Sequence, residues 1–202
     1  MTRDEITKFL KDHEQYRQRT IVIVDYGNAD KWGRSLGWKV GTPQLAKFVK
    51  NFSIGDPLLR RFYYGSDYGP SESSALLTPW SNAILTLARN NGFFVVTKRV
   101  KYIHSGDSAG YEVKCDLDVE MAVDLIQERE HYDTIFVFSG DGDLVRALEY
   151  LKKQYGKKSI VMGARGHIGR EIIDAKKAGI ISSVLYADDF NYRLNLERFT
   201  RR

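Results

Sequence analysis

The sequence predicts an α/β fold: a mainly parallel central sheet flanked by helices, in a Rossmann-like three-layer arrangement. Three observations predict it. Short runs of β-branched and aromatic residues recur, as in Ile21-Val22-Ile23-Val24 and Ile135-Phe136-Val137-Phe138, the pattern of strands buried on both faces. Amphipathic segments of helical length separate such runs, and that alternation implies a parallel sheet covered on both sides. The same two runs stop at turns built from glycine and aspartate: Asp25-Tyr26-Gly27-Asn28, and Ser139-Gly140-Asp141-Gly142-Asp143.

The elements follow in order. Thr2 to about Arg17 carries Ile6, Phe9, Leu10 and His13 at helical spacing, so residues 1–19 read as an amphipathic helix packed on or beside the domain of residues 20–190. Thr20 to Val24 is the first strand. Thr42-Pro43 opens a helix through Leu45, Phe48 and Val49, with the threonine as N-cap and the proline in the first turn. Leu59 to Tyr64 is a strand, and Tyr68 to Ser74 is loop by composition. A helix from about Thr78 to Asn90 stops before Gly92. Phe93 to Val96 begins a strand continuing to Ile103, and Ser105 to Gly110 is a turn. Helices at Asp118 to about Glu130, Asp143 to Tyr155 and Gly169 to Ala178 alternate with strands at Thr134 to Phe138, Ser159 to Met162 and Ser183 to Tyr186. Val119, Ala122, Val123 and Ile126 are expected to face the sheet. Residues 191–202 form a basic tail with Arg193, Arg198, Arg201 and Arg202.

Composition narrows the function classes. No apolar run approaches membrane-spanning length, and the N-terminus lacks a signal-peptide pattern. The single cysteine, Cys115, cannot close an intramolecular disulfide, so the expected location is the cytoplasm. The four histidines are scattered without zinc spacing. Net charge is +5, compatible with a polyanionic partner. Basic and aromatic residues mix in Lys31-Trp32-Gly33-Arg34-Ser35-Leu36-Gly37-Trp38-Lys39 and in Lys98-Arg99-Val100-Lys101-Tyr102-Ile103-His104. Cations there would meet phosphates and aromatic faces would stack on unpaired bases; the alternative is that Trp32 and Trp38 pack a long loop onto the domain. Gly163-Ala164-Arg165-Gly166-His167-Ile168-Gly169 lacks the end of a Walker A loop and reads as a connection.

The acidic residues carry the chemistry. Ligands of open α/β sheets sit beyond the carboxyl ends of the strands, where Asp25, Asp141 and Asp143 fall. Several carboxylates in one crevice repel unless protonated or bridged by a cation, and Mg²⁺ or Mn²⁺ with oxygen ligands is the simplest partner. Asp118 begins a helix and has a competing reading as its N-cap. Asp143 has the same competing role for the helix after it. Asp124 lies about 240° round the helix from Asp118, at roughly 100° per residue, and is a secondary candidate. Asp116 is weaker still. Asn28 offers an amide to a substrate or holds its loop.

These residues resemble a known family. Asp25-Tyr26-Gly27-Asn28 is similar to the Asp-x-x-Asn signature of the NYN domain (LabA-like), a PIN-like nuclease fold. Lys114 to Asp124 is similar to that family's Lys, Asp, apolar helix and Asp, and Ser139 to Asp143 to its Ser-Gly-Asp-x-Asp turn. The resemblance covers roughly residues 20–162. It implies metal-dependent ribonuclease chemistry and carries catalytic and metal-binding roles onto Asp25, Asp118, Asp141 and Asp143, with Asn28 adjoining.

The expected protein is therefore a Mg²⁺- or Mn²⁺-dependent ribonuclease acting on single-stranded or locally unpaired RNA. Asp25, Asp118 and Asp141 are the first-choice ligands, and Asp143 is a ligand or orients water. Asn28, Lys31, Trp32, Arg34, Lys98, Arg99 and Lys114 are the substrate-binding candidates, with Lys114 otherwise pairing with Asp116 or Asp118. An RNA-binding or regulatory module with an acidic pocket and little turnover is the alternative. A phosphatase is disfavoured, because no Asp-x-Asp-x-Thr follows the first strand. A homo-oligomer is compatible with the pattern.

Overall fold

The computed structural model describes residues 2–14, 19–53, 56–71, 74–104 and 110–196. Of the turn expected over 105–110, residues 105–109 lie outside them, as do the arginines at 198, 201 and 202.

Helix α1 (Arg3–Glu14) precedes strand β1 (Thr20–Asp25), the short turns α2 (Tyr26–Ala29) and α3 (Gly33–Leu36), and α4 (Thr42–Val49). Strand β2 (Arg60–Ser66), α5 (Pro79–Asn90), β3 (Phe94–Arg99), β4 (Lys101–His104) and β5 (Tyr111–Lys114) follow. The second half alternates α6 (Asp118–Gln127), β6 (Thr134–Phe138), α7 (Val145–Tyr155), β7 (Lys158–Gly163), α8 (Arg170–Lys177), β8 (Ser183–Tyr186) and α9 (Asn191–Leu194). Six strands form one sheet in the order β3-β2-β1-β6-β7-β8. Every pairing in it is parallel.

Both faces of the sheet are covered, and β1 explains how. Its side chains alternate across the sheet: Val22 and Val24 join Phe62, Phe136, Phe138 and helix residues Ile6, Phe48 and Ile84 in one core. Ile21 and Ile23 join Tyr63, Ile135 and Val137 with Met121, Leu125, Leu148 and Ile172 in the other. The chain winds outward in one direction through β2 and β3, then in the other through β7 and β8. The reversal lies between neighbours β1 and β6, and such a switch point opens a crevice at the carboxyl ends.

Four local expectations are corrected. The strand expected to run to Ile103 breaks at Val100, whose N–H donates to Ser66 O at 3.0 Å. Beyond it β4 leaves the sheet and pairs antiparallel with β5 as a two-stranded arm. The N-cap of α4 is Gly41, and Thr42 is already helical. In α6, Met121 and Leu125 fill the core while Val119 and Val123 are exposed, so the inward stripe is rotated from the expected one. The caps of α6 and α7 are Leu117 and Leu144 without side-chain bonds, which removes the capping role considered for Asp118 and Asp143.

Candidate active site

Strands β1 and β6 run side by side, with Val24 opposite Phe138, so the two Asp-containing turns emerge together. Hydrogen bonds lock them. Ser139 Oγ donates to Asp25 Oδ2 at 2.9 Å, and the Gly140 N–H donates to Asn28 Oδ1 at 2.9 Å. Trp32 Nε1 donates to the same Asn28 oxygen at 2.8 Å. Asp25 Oδ1 accepts from the Asn28 N–H at 3.0 Å, making Asp25 the cap of its own turn. Behind the second turn, a Cβ on Gly140 would stand 1.7 Å from the His167 carbonyl oxygen. No other residue permits so close a backbone approach.

Helix α6 brings the third segment. One carboxylate oxygen from each of Asp118, Asp141 and Asp143 lies within 4.8 Å of the others. Asp141 and Asp143 are exposed and Asp118 is half-buried. Burial, then the hydrogen bond and charge of Asp116, then the charges of Asp25 and Asp141, push the Asp118 carboxyl up to about 7. Asp116 moves the other way, because the Asp118 N–H donates to its Oδ1 at 2.9 Å and the Asp118 side chain also hydrogen-bonds to it. Asp25 is raised chiefly by burial, against its bonds from Asn28 and Ser139 and the nearby Lys31 charge. These acids line an open cavity of about 450 Å³ with Asn28, Asp30, Lys31, Tyr64 and Asp67.

The nominated residues therefore separate. Asp118, Asp141 and Asp143 converge most closely, and Asp25 lines the same cavity while tying the two turns together. Asn28 and Lys31 line the cavity. Trp32 is fully buried and Trp38 nearly so, which corrects the stacking role suggested by their loop. Arg34 is exposed and not among the residues lining the cavity. Lys98 Nζ contacts Glu120 Oε1 at 2.8 Å and the Asp116 carbonyl at 3.1 Å. The Arg99 guanidinium lies 4.8 Å over the Tyr68 ring and donates to Ser71 O. Lys114 pairs with Glu112 at 3.2 Å, not with Asp116 or Asp118. Asp124 is removed from the site: its Oδ2 accepts from Tyr63 OH at 2.6 Å and meets Arg61 at 2.5 Å. Glu128 holds the other arm of that buried guanidinium.

Asp30, Tyr64 and Asp67 line the cavity and were not nominated from the sequence. Asp67 accepts from Tyr102 OH at 2.6 Å, tying the β4–β5 arm to the cavity rim. It follows β2 as Asp25 ends β1, so the same rule of an acid after a strand would have found it. Trp80, 60% exposed at the start of α5, had no flanking motif.

Comparison with known proteins gives concordant results. The NYN domain family model matches residues 19–194. The low amplitude and bright protein LabA of Synechococcus elongatus is 36% identical over 158 residues, covering 78% of this chain and 80% of that protein. A crystal structure of a Vibrio parahaemolyticus protein of unknown function superposes with a TM-score of 0.64 at 20% identity. It covers 89% of this chain and 98% of that one, a likeness of fold. Among the described residues no helix is long and apolar enough to cross a membrane.

Proposed function

The chain belongs to the NYN domain family, a PIN-like nuclease family, and from that premise we propose a divalent-metal-dependent ribonuclease that hydrolyses phosphodiester bonds of single-stranded or locally unpaired RNA. The observation that carries the reading is the convergence of Asp118, Asp141 and Asp143 at the switch point of the sheet. None of the three caps α6 or α7, so helix capping does not explain their arrangement.

The donor set fits a hard divalent ion. Three carboxylates supply only oxygen ligands, and a cation would offset both the burial that chiefly raises Asp118 and the neighbouring acidic charges that add to it. Asp118, Asp141 and Asp143 would hold Mg²⁺ or Mn²⁺. When bound, the ion supplies Lewis-acid polarisation of the phosphate and lowers the pKa of attacking water. The protein's own groups do the positioning. Asp25, through Ser139, and Asn28, through Gly140, fix the turn that carries Asp141 and Asp143. Asp116 hydrogen-bonds to Asp118 and orients it. Lys31 adds positive charge at the cavity wall, where a phosphate of the strand would approach.

The test is incubation of the purified protein with end-labelled single-stranded RNA in Mg²⁺, in Mn²⁺ or in chelator. The expected result is cleavage that needs the metal and is lost in Asp141→Asn. RNA binding without cleavage in either metal would overturn the enzyme reading in favour of a binding module. Cleavage that persists in chelator would overturn the metal.

A further inference from the structure

We propose that Trp80, with Lys39, forms a stacking subsite for an unpaired base of the strand whose backbone enters the acidic cavity. The inference deepens the ribonuclease reading and rests on it for the identity of the strand.

Three observations carry it. The protein has three tryptophans; Trp32 and Trp38 are buried, whereas Trp80 keeps 60% of its surface in solvent. An indole so exposed forgoes much of the free energy that its burial would release. Second, Trp80 stands at the cavity wall. On either side of it in the chain, the Thr78 N–H donates to the Asp67 carbonyl at 2.8 Å and Ser81 Oγ accepts from the Asp67 N–H at 3.1 Å, and Asp67 lines the cavity beside Asp30, Lys31 and Tyr64. Third, the Lys39 ammonium lies 5.9 Å from the centre of the indole ring, near the outer limit of a cation–π contact. An ammonium there is free to turn toward a phosphate while the ring takes a base. A solvent-facing aromatic ring beside a cation, at the edge of the cavity proposed to take the backbone, is what a single strand needs.

Stacking on an aromatic face is tolerant of base identity, so any of the four bases would be accepted. Duplex, whose bases are already stacked, gains nothing from the subsite. Selection of unpaired RNA would thus arise at Trp80, beside the acidic cavity.

The test uses intrinsic fluorescence in chelator, so that strands stay intact. A single-stranded RNA oligonucleotide is compared with an abasic strand of equal length and with duplex. The RNA strand is expected to quench the parent, and the abasic strand is not. Trp80→Ala is expected to weaken RNA binding about 5- to 150-fold, the loss of one stacked base. Trp80→Phe keeps most of the affinity but shows no quenching, because its remaining indoles are buried. With metal restored, Trp80→Ala raises KM and leaves kcat unchanged. Equal affinity of Trp80→Ala and parent overturns the subsite alone, provided cleavage persists. A parent that binds and is quenched but never cleaves upholds the subsite and fails the ribonuclease reading. A parent that binds no RNA overturns both. A dimer that Trp80→Ala dissociates would assign the indole to a second copy and overturn the subsite.

Discussion

The Asn28 side-chain oxygen accepts the Gly140 backbone N–H at 2.9 Å, joining two turns 112 residues apart in the chain. With the second bond from Trp32, it makes one amide oxygen the fastener between the first strand's turn and the turn that carries Asp141 and Asp143. Asn28 lines the cavity, yet its best-supported work is structural.

Asn28→Ala should therefore act first on stability. It leaves two donors without their partner, at about 1–3 kcal/mol for each one that stays buried. Urea melts of the metal-free protein check this, and Asn28→Asp, which keeps an acceptor oxygen, should recover part of the loss. An alanine variant as stable as the parent would show that water replaces the amide at no cost.

Asp141→Asn should separate function from fold. Removing one of three mutually repelling carboxylates leaves the metal-free protein equally stable or slightly more so. The gain in melting temperature on adding Mn²⁺ should shrink, because ligand binding stabilises by mass action. Paired melts with and without Mn²⁺, run beside RNA cleavage, read both effects. Early melting with full activity per folded molecule would make Asp141 scaffold.

The acidic cavity should give the metal-free protein a distinctive pH dependence. The Asp118 carboxyl is raised from 3.8 to about 7, so the folded state holds this proton more tightly than the unfolded chain. Its contribution is fully present below pH 3.8 and is lost as the pH rises through about 7. Asp25, also raised, acts in the same direction. In chelator, stability relative to an Asp118→Asn variant should decline as pH rises through this window, and saturating Mn²⁺ should flatten the decline. Parallel curves for parent and variant would contradict the assignment.

Asp124 should behave unlike the trio. The Arg61 side chain is only 7% exposed and lies between Asp124 and Glu128. Severing a buried pair costs about 3–5 kcal/mol, and Glu128 keeps Asp124→Ala at or below that range. The variant should melt early, yet its cleavage per folded molecule should match the parent. A selective loss of activity at unchanged stability would return Asp124 to the chemistry.

The sequence by itself determined the architecture and the location of the acids. Parallel strands buried on both faces must be apolar throughout, so Ile21 to Val24 and Ile135 to Phe138 are legible as runs. The turns after them are legible because glycines beside acids have few other uses. Short-range signals misled where two periodicities overlap: Val119 and Val123 fit a helical stripe as well as Met121 and Leu125 do, and only packing chose between them. The tertiary structure alone decided which acids meet. Asp25, engaged by Ser139 and Asn28, lines the same cavity as Asp118, whereas Asp124 carries the same group but is taken by Arg61 and Tyr63. It also reversed the tryptophans, burying the two that sit among cations and exposing Trp80. A side chain's neighbours across the sheet come from segments tens of residues away, so its exposure and its partners are properties of the packed chain and not of its local sequence.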